Sequence, residues 1–144
     1  SASLSAHIAE RQARAAERPL RRLGCPTTVT QAAWQSDSPG TAVFLRAVFA
    51  RSVAGFSALG ERGKPAERVA KEAVEALEAF LASPGAVDAH AADQLVALAA
   101  LSDEPSRFIA QSVTHHLGTN LQVVRAMTGR EARADEATGE VVVE

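Results

Sequence analysis

The sequence has little of what cross-links or anchors extracellular and membrane proteins. It contains one Cys, which excludes an intramolecular disulfide framework. No apolar run approaches the ~20 residues that a membrane-spanning helix requires. Arginines interrupt the N-terminal stretch, which is not the pattern of a signal peptide. These absences indicate a soluble, cytoplasmic protein that makes no membrane contact.

Charge of one sign and aromatic side chains are also scarce. The formal net charge is −2, which argues against a protein that holds nucleic acid mainly through bulk positive charge. Aromatic residues make up 4% of the 144 residues, and Tyr is absent. Ala makes up roughly a fifth of the chain, and small side chains bury little area. The core should therefore be thin, which favours a partner or a larger parent protein.

Well-known catalytic and metal-binding motifs are missing. There is no P-loop, dinucleotide-binding fingerprint or nucleophile elbow, and the four His and one Cys lack zinc-ligand spacing. The remaining candidates are His115 and His116, at a predicted strand-to-helix junction where a helix N-terminus attracts anions. An imidazole there is a nucleophile, a general base, a metal ligand or simply an exposed polar group. Asp93 and Gln94 adjoin an apolar helix face, where they are either solvated or in contact with a base or ribose.

The first half of the chain has the pattern of a helix, several strands and a second helix. Ala, Glu and Arg predict a helix over 4–20, on which Arg11, Arg14 and Arg18 form either a solvated face or a phosphate-contacting face. Strand-like composition is found at 28–34, 41–49 and 55–59. Apolar residues at three- and four-residue steps then predict a helix over 65–81, which ends at a Ser-Pro-Gly turn.

The second half begins with Asp88, which is suited to cap a helix that runs to about Leu101. We expect Ala91, Leu95 and Leu98 on the apolar side of this helix. A short strand, a helix stopped by glycine and a terminal hairpin follow, at 107–113, 117–129 and 131–144. The predicted order is α-β-β-β-α and then α-β-α-β-β, which is an α+β fold.

Several stretches, taken together, carry a family resemblance. They are His7-Ile8-Ala9-Glu10-Arg11, Pro39-Gly40, 56–63, Ala66-Glu67-Arg68-Val69-Ala70, Leu81-Ala82-Ser83, Ala92-Asp93-Gln94-Leu95 and His116-x-x-Thr119-Asn120-x-x-Val123-Val124. In this order they resemble the C-terminal portion of an RNA 3′-terminal phosphate cyclase. The Asp-Gln-Leu and His-x-x-Thr-Asn pieces are the specific ones.

The resemblance implies an ATP-dependent ligase that converts an RNA 3′-phosphate into a 2′,3′-cyclic phosphate. In this family a histidine attacks the α-phosphorus of ATP, AMP passes to the RNA 3′-phosphate, and the neighbouring 2′-hydroxyl expels AMP. His116 would be the nucleophile because it precedes Thr119 and Asn120 as the family pattern requires, and Mg²⁺ would offset developing charge. The residues that the resemblance assigns to the nucleotide are His90, Ala91, Ala92, Asp93 and Gln94.

The resemblance also implies two domains. Residues 1–85 would form most of a small inserted α/β sandwich-type domain, and residues 86–144 would form the last α-β-α-β-β unit of a larger repeated α+β domain. We expect such a C-terminal fragment to be inactive alone, because the groups that position ATP and RNA elsewhere in the family would be absent. An apolar face of 86–144 would then be open, or covered by another copy in a homo-oligomer.

Three departures from the family pattern keep other functions open. The loop 102–106 replaces a glycine-rich turn, the preceding helix lacks a Pro, and His90 occupies a position that is often aromatic and stacks on the nucleotide. A non-catalytic scaffold that uses the cyclase fold to bind RNA or protein is one alternative. A free-standing α+β interaction domain with a closed core is another.

Overall fold

The computed structural model describes residues 1–144 and contains both helices and small sheets. The elements are, in chain order, α1 (Ala6–Arg22), β1 (Ala42–Val48), β2 (Val53–Leu59), α2 (Ala66–Leu81), α3 (Ala89–Ala99), β3 (Ser106–Ile109), α4 (His115–Thr128), β4 (Ala132–Ala134) and β5 (Glu140–Val143). The predicted α+β class is therefore confirmed. No helix combines the length and the apolar character that crossing a bilayer requires.

Contacts within the chain divide it into two compact units. The first contains residues 1–47 and 55–79, and the second contains residues 48–54 and 80–144. Each unit has its own cluster of buried residues. The domain limits drawn from the sequence, 1–85 and 86–144, stay a prediction.

In the first unit, β1 and β2 pair and α2 packs against the pair. Successive residues of β2 alternate between exposed and buried, because side chains along a strand point to opposite faces. On the buried face, Ala58 contacts Val69 and Ala73 of α2, with Val43 and Leu45 half-buried beside them. Mainly small side chains form this cluster, as the Ala-rich composition predicts.

The predicted strand over 28–34 is wrong. These residues are all exposed, and their one ladder contact is an isolated bridge between Trp34 and Ala2. Thr and Val favour strands only where a neighbouring surface packs against them, and this segment buries none of its side chains. The first half of the chain therefore has the order α-β-β-α instead of α-β-β-β-α.

An ion pair joins α1 to α2 within the first unit. Arg11 donates from Nε and Nη2 to the two carboxylate oxygens of Glu67, each at 2.7 Å. The hydrogen bond from Arg11 is the main reason why the pKa of Glu67 falls from 4.5 to about 2. The side chains are 42% and 51% exposed, so water and salt weaken the pair. Of the three arginines for which the sequence leaves a solvated face and a phosphate-contacting face open, Arg11 is thus engaged with a carboxylate of the same chain.

In the second unit, α3 and α4 pack against a three-stranded antiparallel sheet of order β3-β5-β4. The central strand β5 contributes Val141 and Val143, which are fully buried. The rest of this core comes from α3, α4, β4 and the residue that follows β3, with Ala92, Val96, Ala110, Leu117, Leu121, Val124 and Ala132. The observed order α-β-α-β-β matches the predicted one.

The buried face of α3 differs from the predicted one. Leu95 and Leu98 are 38% and 64% exposed, whereas Ala92 and Val96 are fully buried. The helix is rotated so that its small residues face the core beside α4, which allows the two helices to pack closely. The larger leucines are left on the outer surface of the unit.

Candidate active site

Thr114 determines where α4 begins. It is the N-cap residue, with extended backbone angles, and its hydroxyl accepts a hydrogen bond from the N–H of Leu117 at 2.9 Å. Its carbonyl accepts from the N–H of Gly118 at 3.0 Å. An N-cap of this type satisfies one of the N–H groups that a helix start leaves unpaired. His115 and His116 consequently become the first two residues of the helix.

Both histidines are exposed, while the next residue anchors the turn. Leu117 is fully buried in the core of the second unit, and His115 and His116 lie on the solvent side. Their backbone N–H groups have no carbonyl partner, so the helix N-terminus presents donors and partial positive charge beside the imidazoles. The ring of His116 is therefore open to a ligand, and this end of α4 suits an anion.

The α3 residues that the resemblance assigns to a nucleotide differ in how far they are buried. These residues are His90, Ala91, Ala92, Asp93 and Gln94. His90 and Gln94 are exposed, Ala91 and Asp93 are half-buried, and Ala92 is fully buried in the core. The helix starts at Asp88, whose Oδ1 accepts from the N–H of Ala91 at 2.9 Å. His90 and Gln94 are thus the two side chains fully accessible to a ligand.

Asp93 joins the two predicted parts of the site. Its Oδ1 accepts a hydrogen bond from Thr114 Oγ1 at 2.7 Å, and its backbone carbonyl accepts from Asn120 Nδ2 at 2.9 Å. The Thr114 hydroxyl donates to Asp93 and accepts from Leu117, so both of its roles are used. The carboxylate of α3 therefore holds the start of α4, two residues before His116.

An open cavity lies against the segment that leads into α4. Its volume is about 350 Å³, and its lining includes Gln111, Ser112 and Val113 on one side and Thr138 and Gly139 on the other. Strand β3 and the β4–β5 turn approach closely here, since the N–H of Ala110 donates to the carbonyl of Gly139 at 2.8 Å. The lining residues include neither His115 nor His116, so this cavity adjoins the segment before α4 and not the histidines themselves.

The side chains do not form a metal site. No group of three or more His, Cys, Asp or Glu residues is arranged to hold an ion. Mg²⁺ commonly keeps several waters and is held by one or two carboxylates together with substrate phosphates. The chain by itself thus offers no complete magnesium cage.

Two residues of this arrangement receive no role from the sequence patterns. The role of Thr114 as an N-cap could have been predicted, because a Thr just before a helical run of apolar residues is a typical N-cap. Asn120 belongs to the His-x-x-Thr-Asn stretch, but its partner Asp93 is 27 residues away and no local pattern connects them. The contact between the two stretches is visible only in the folded chain.

Comparison with known proteins decides the family. The sequence model of the RNA 3′-terminal phosphate cyclase insert domain matches residues 1–82, more than half of the chain. This chain belongs to the RNA 3′-terminal phosphate cyclase family. The match supports the resemblance seen in the sequence, whereas the roles of His116 and of the α3 residues stay predictions.

Proteins named RNA 3′-terminal phosphate cyclase are similar over most of the chain. The protein from Methylococcus capsulatus is 46% identical over 123 residues, which are 85% of this chain and 34% of that protein. The protein from Pyrobaculum neutrophilum is 39% identical over 144 residues, which are 99% of this chain and 42% of that protein. The one from Pyrobaculum aerophilum is 37% identical, with 99% and 41% covered. The chain thus spans 34% to 42% of the length of these cyclases.

Proposed function

We propose that this chain supplies the nucleophile-bearing part of an ATP-dependent RNA 3′-terminal phosphate cyclase, with His116 as the residue that becomes adenylylated. One observation carries the proposal. His116 is exposed at the start of a helix whose N-cap, Thr114, is held by Asp93. A fixed helix N-terminus favours a polyphosphate in front of the imidazole, because N–H donors and partial positive charge converge there.

His116 acts as a nucleophile in this proposal. A ring nitrogen attacks the α-phosphorus of ATP, an N–P bond forms, pyrophosphate leaves, and the remaining ring proton is lost to solvent. An oxygen of the RNA 3′-phosphate then attacks the same phosphorus, which breaks the N–P bond and restores the imidazole. The adjacent 2′-hydroxyl finally attacks the 3′-phosphorus, loses its proton, and expels AMP as the cyclic phosphate closes.

The accessible side chains of α3 contact the nucleotide. The Gln94 amide bonds to the base or ribose, and the His90 ring stacks on the base, more weakly than an aromatic ring would. Asp93 uses Oδ1 for Thr114, so Oδ2 is the oxygen free for a ribose hydroxyl. Ala91 and Ala92 shape the helix surface. Mg²⁺ supplies charge stabilisation when bound, and we expect it to enter with the phosphates because the chain itself forms no cage.

The domain assignment and location belong to the same proposal. Residues 1–85 form most of the inserted domain, and residues 86–144 form the last α-β-α-β-β unit of the catalytic domain. The protein acts on RNA 3′ ends in the cytoplasm. The 144 residues alone are inactive, since they span at most 42% of the length of these three cyclases and lack many of the positioning groups.

A non-catalytic scaffold is the second candidate function, and the loop 102–106 favours it. Nη1 of Arg130 hydrogen-bonds the backbone carbonyls of Ala100 and Ser102, at the start of this loop. The side chain of Arg130 thereby fixes the loop where the family has a glycine-rich turn. A scaffold would bind RNA or protein with the same fold and without need of His116.

Labelling with ATP that carries radioactive phosphorus at the α-position separates the two functions. The 144 residues are exchanged into the Pyrobaculum neutrophilum cyclase in place of its matching segment, and the chimera is incubated with the labelled ATP and Mg²⁺. We expect an acid-labile, alkali-stable protein label that disappears in His116→Ala and persists in the matched control His115→Ala.

Each other result has a defined meaning. A folded chimera without label contradicts catalysis and favours the scaffold. A label that survives His116→Ala contradicts the choice of nucleophile. A label on the isolated chain contradicts its proposed inactivity.

A further inference from the structure

The first three residues of the chain lie between two segments of the first unit and pair with both. Ala2 and Gly40 exchange both of their backbone hydrogen bonds, at 2.8 and 3.0 Å, in an antiparallel bridge. On the other side, the backbone of Trp34 donates to Ser1 at 3.0 Å and accepts from Ser3 at 3.3 Å, which is a parallel bridge. Ala2 therefore has the position of a residue in a central strand, with a hydrogen-bonded neighbour on each side.

Beyond Gly40, the edge of β1 on this side is unpaired. Thr41 accepts from the N–H of Gly60 at 2.8 Å, on the side of β2, and backbone groups alternate between the two sides of a strand. The N–H and C=O groups of Phe44 and Arg46 consequently point in the same direction as those of Gly40. Because β1 pairs with β2 alone, these groups have no backbone partner on that side.

The segment 28–34 presents a second unpaired edge to the same space. The N-terminal ammonium of Ser1 donates to the carbonyl of Ala32 at 2.8 Å, which continues the parallel pattern that begins at Trp34. The N–H of Ala32 and both backbone groups of Thr30 come next in this pattern, and they form no backbone hydrogen bond. Strand edges with free N–H and C=O groups are templates for another strand.

A cavity of about 300 Å³ lies where these two edges meet α1. Residues 28–32 line it from one edge, residues 42–45 from the other, and small residues of α1 such as Ala13 from below. Ser1 also lines it, so the cavity continues the path of the backbone in the N-terminal direction. Because Ala2 pairs with both edges, their separation at this end is that of one strand.

We propose that this space, the strand slot, receives one β-strand that is parallel to 28–34 and antiparallel to β1. The strand is the polypeptide directly before Ser1 in the longer cyclase, and this source rests on the proposed function. The direction of the backbone supports it, since Ser1 already enters the slot in register with both edges. A strand from a partner protein or from a second copy would have to end where Ser1 begins.

The register also predicts the side-chain pattern of this strand. Side chains alternate between the two faces of a strand. Ser1 lines the cavity beside α1, whereas Ala2 does not. The second and fourth residues before Ser1 therefore face α1, and they should be small or apolar because no charged side chain lines the cavity.

Hydrogen exchange of the β1 amides tests the strand slot without ATP or turnover, so its outcome is independent of the proposed catalysis. The intact 144-residue chain is compared with the chimera, in which residues of the Pyrobaculum neutrophilum cyclase precede Ser1. We expect the Phe44 and Arg46 amides to exchange at least about tenfold more slowly in the chimera. The Leu45 amide faces β2 and should change much less, which controls for a general stabilisation.

Two neighbouring alanines provide a matched pair of variants. Ala32→Pro removes the N–H that faces the slot, whereas Ala33→Pro removes one that faces away, at a residue that does not line the cavity. Proline is tolerated in a strand only where the lost N–H faces solvent. In the chimera, Ala32→Pro should speed exchange of the Phe44 amide at least about fivefold, as expected for one lost hydrogen bond, and Ala33→Pro should leave it unchanged.

Three results would overturn the proposal. One is equal exchange of the Phe44 amide in the folded chain and the folded chimera. Another is an equal effect of the two proline variants, with folding checked by circular dichroism. The third is slow exchange in the 144-residue chain that becomes faster on dilution, which would mean that a second copy fills the slot.

Discussion

Replacing Thr114 by Val removes both hydrogen bonds of one hydroxyl and nearly preserves the side-chain volume. The lost bonds are the one donated to Asp93 at 2.7 Å and the one accepted from Leu117 at 2.9 Å. The first connects α3 to α4, and the second caps α4. We therefore expect Thr114→Val to destabilise the second unit and to loosen the turn that carries His116.

The expected loss follows from the two bonds. Removal of an N-cap hydroxyl costs about 1 kcal/mol, and a hydrogen bond to a charged group contributes about 1.5–3 kcal/mol. Both bonds share one hydroxyl and the half-buried Asp93 is partly resolvated in the variant, so the simple sum is an upper limit. We expect a decrease of about 2–3 kcal/mol in the free energy of unfolding of the second unit.

Hydrogen exchange of the α4 amides is the suitable assay, because the two units need not unfold together. Thr114→Ser keeps the hydroxyl and should stay within about 0.5 kcal/mol of the unmodified chain. A double-mutant cycle with Asp93→Ala should give a coupling energy of about 1 kcal/mol or more. In the labelled-ATP chimera, Thr114→Val should slow adenylylation and Thr114→Ser should restore it.

Two results would refute this account of the helix start. One is a Thr114→Val variant as stable as Thr114→Ser. The other is additivity of the Thr114 and Asp93 substitutions, which would mean that the hydrogen bond seen between them contributes nothing to folding.

Three further predictions concern other parts of the chain. The pKa of Glu67 is about 2 in the folded chain and 4.5 otherwise, so its ionised form adds stability above pH 4.5 that is lost as the pH falls towards 2. In urea unfolding curves measured at a series of pH values, Glu67→Gln should reduce the dependence of the unfolding free energy on pH between 4.5 and 2. Gly118→Ala should raise the unfolding free energy by up to about 1 kcal/mol, because nothing lies within 4 Å of the added Cβ. Gly85→Ala should lower it by about 1–3 kcal/mol, because the added Cβ would lie 2.5 Å from the backbone of Gln111. Chemical denaturation measures both changes. If the exposed leucines of α3 bind a second copy of the chain, light scattering should give twice the monomer mass and Leu98→Glu should restore the monomer; a monomeric unmodified chain at high concentration contradicts this.

The elements that the sequence predicts well are those whose ends are decided locally. Asp88 caps α3 through its own side chain, and Gly129 ends α4 in the left-handed conformation at φ 72°. Pro65 directly precedes α2, where its fixed φ suits a helix start. In each case one residue caps, ends or favours a helix terminus without help from distant parts of the chain, so a local pattern is sufficient.

The elements that the sequence predicts poorly are those decided by packing. Residues 28–34 have strand-like composition but no neighbouring strand over most of their length, so propensity alone is misleading there. On α3, Leu95 and Leu98 have larger apolar side chains than Ala92 and Val96, yet the smaller side chains are the buried ones. Which face of a helix is buried depends on how closely its neighbour packs, and no periodicity within α3 contains that information.

The candidate site shows the same division between local and distant information. The sequence identifies Asp93 and His116 as members of two stretches that recur together, and the resemblance explains Asp93 by a nucleotide contact. The structure gives Asp93 an additional partner, because one carboxylate oxygen accepts from Thr114 while its backbone carbonyl accepts from Asn120. Replacing Asp93 would therefore disturb the helix start that presents His116 even if the carboxylate never touched ATP. A loss of activity in an Asp93 variant cannot by itself be assigned to nucleotide binding, whereas a Thr114→Val variant, which keeps the carboxylate, tests the positioning role separately.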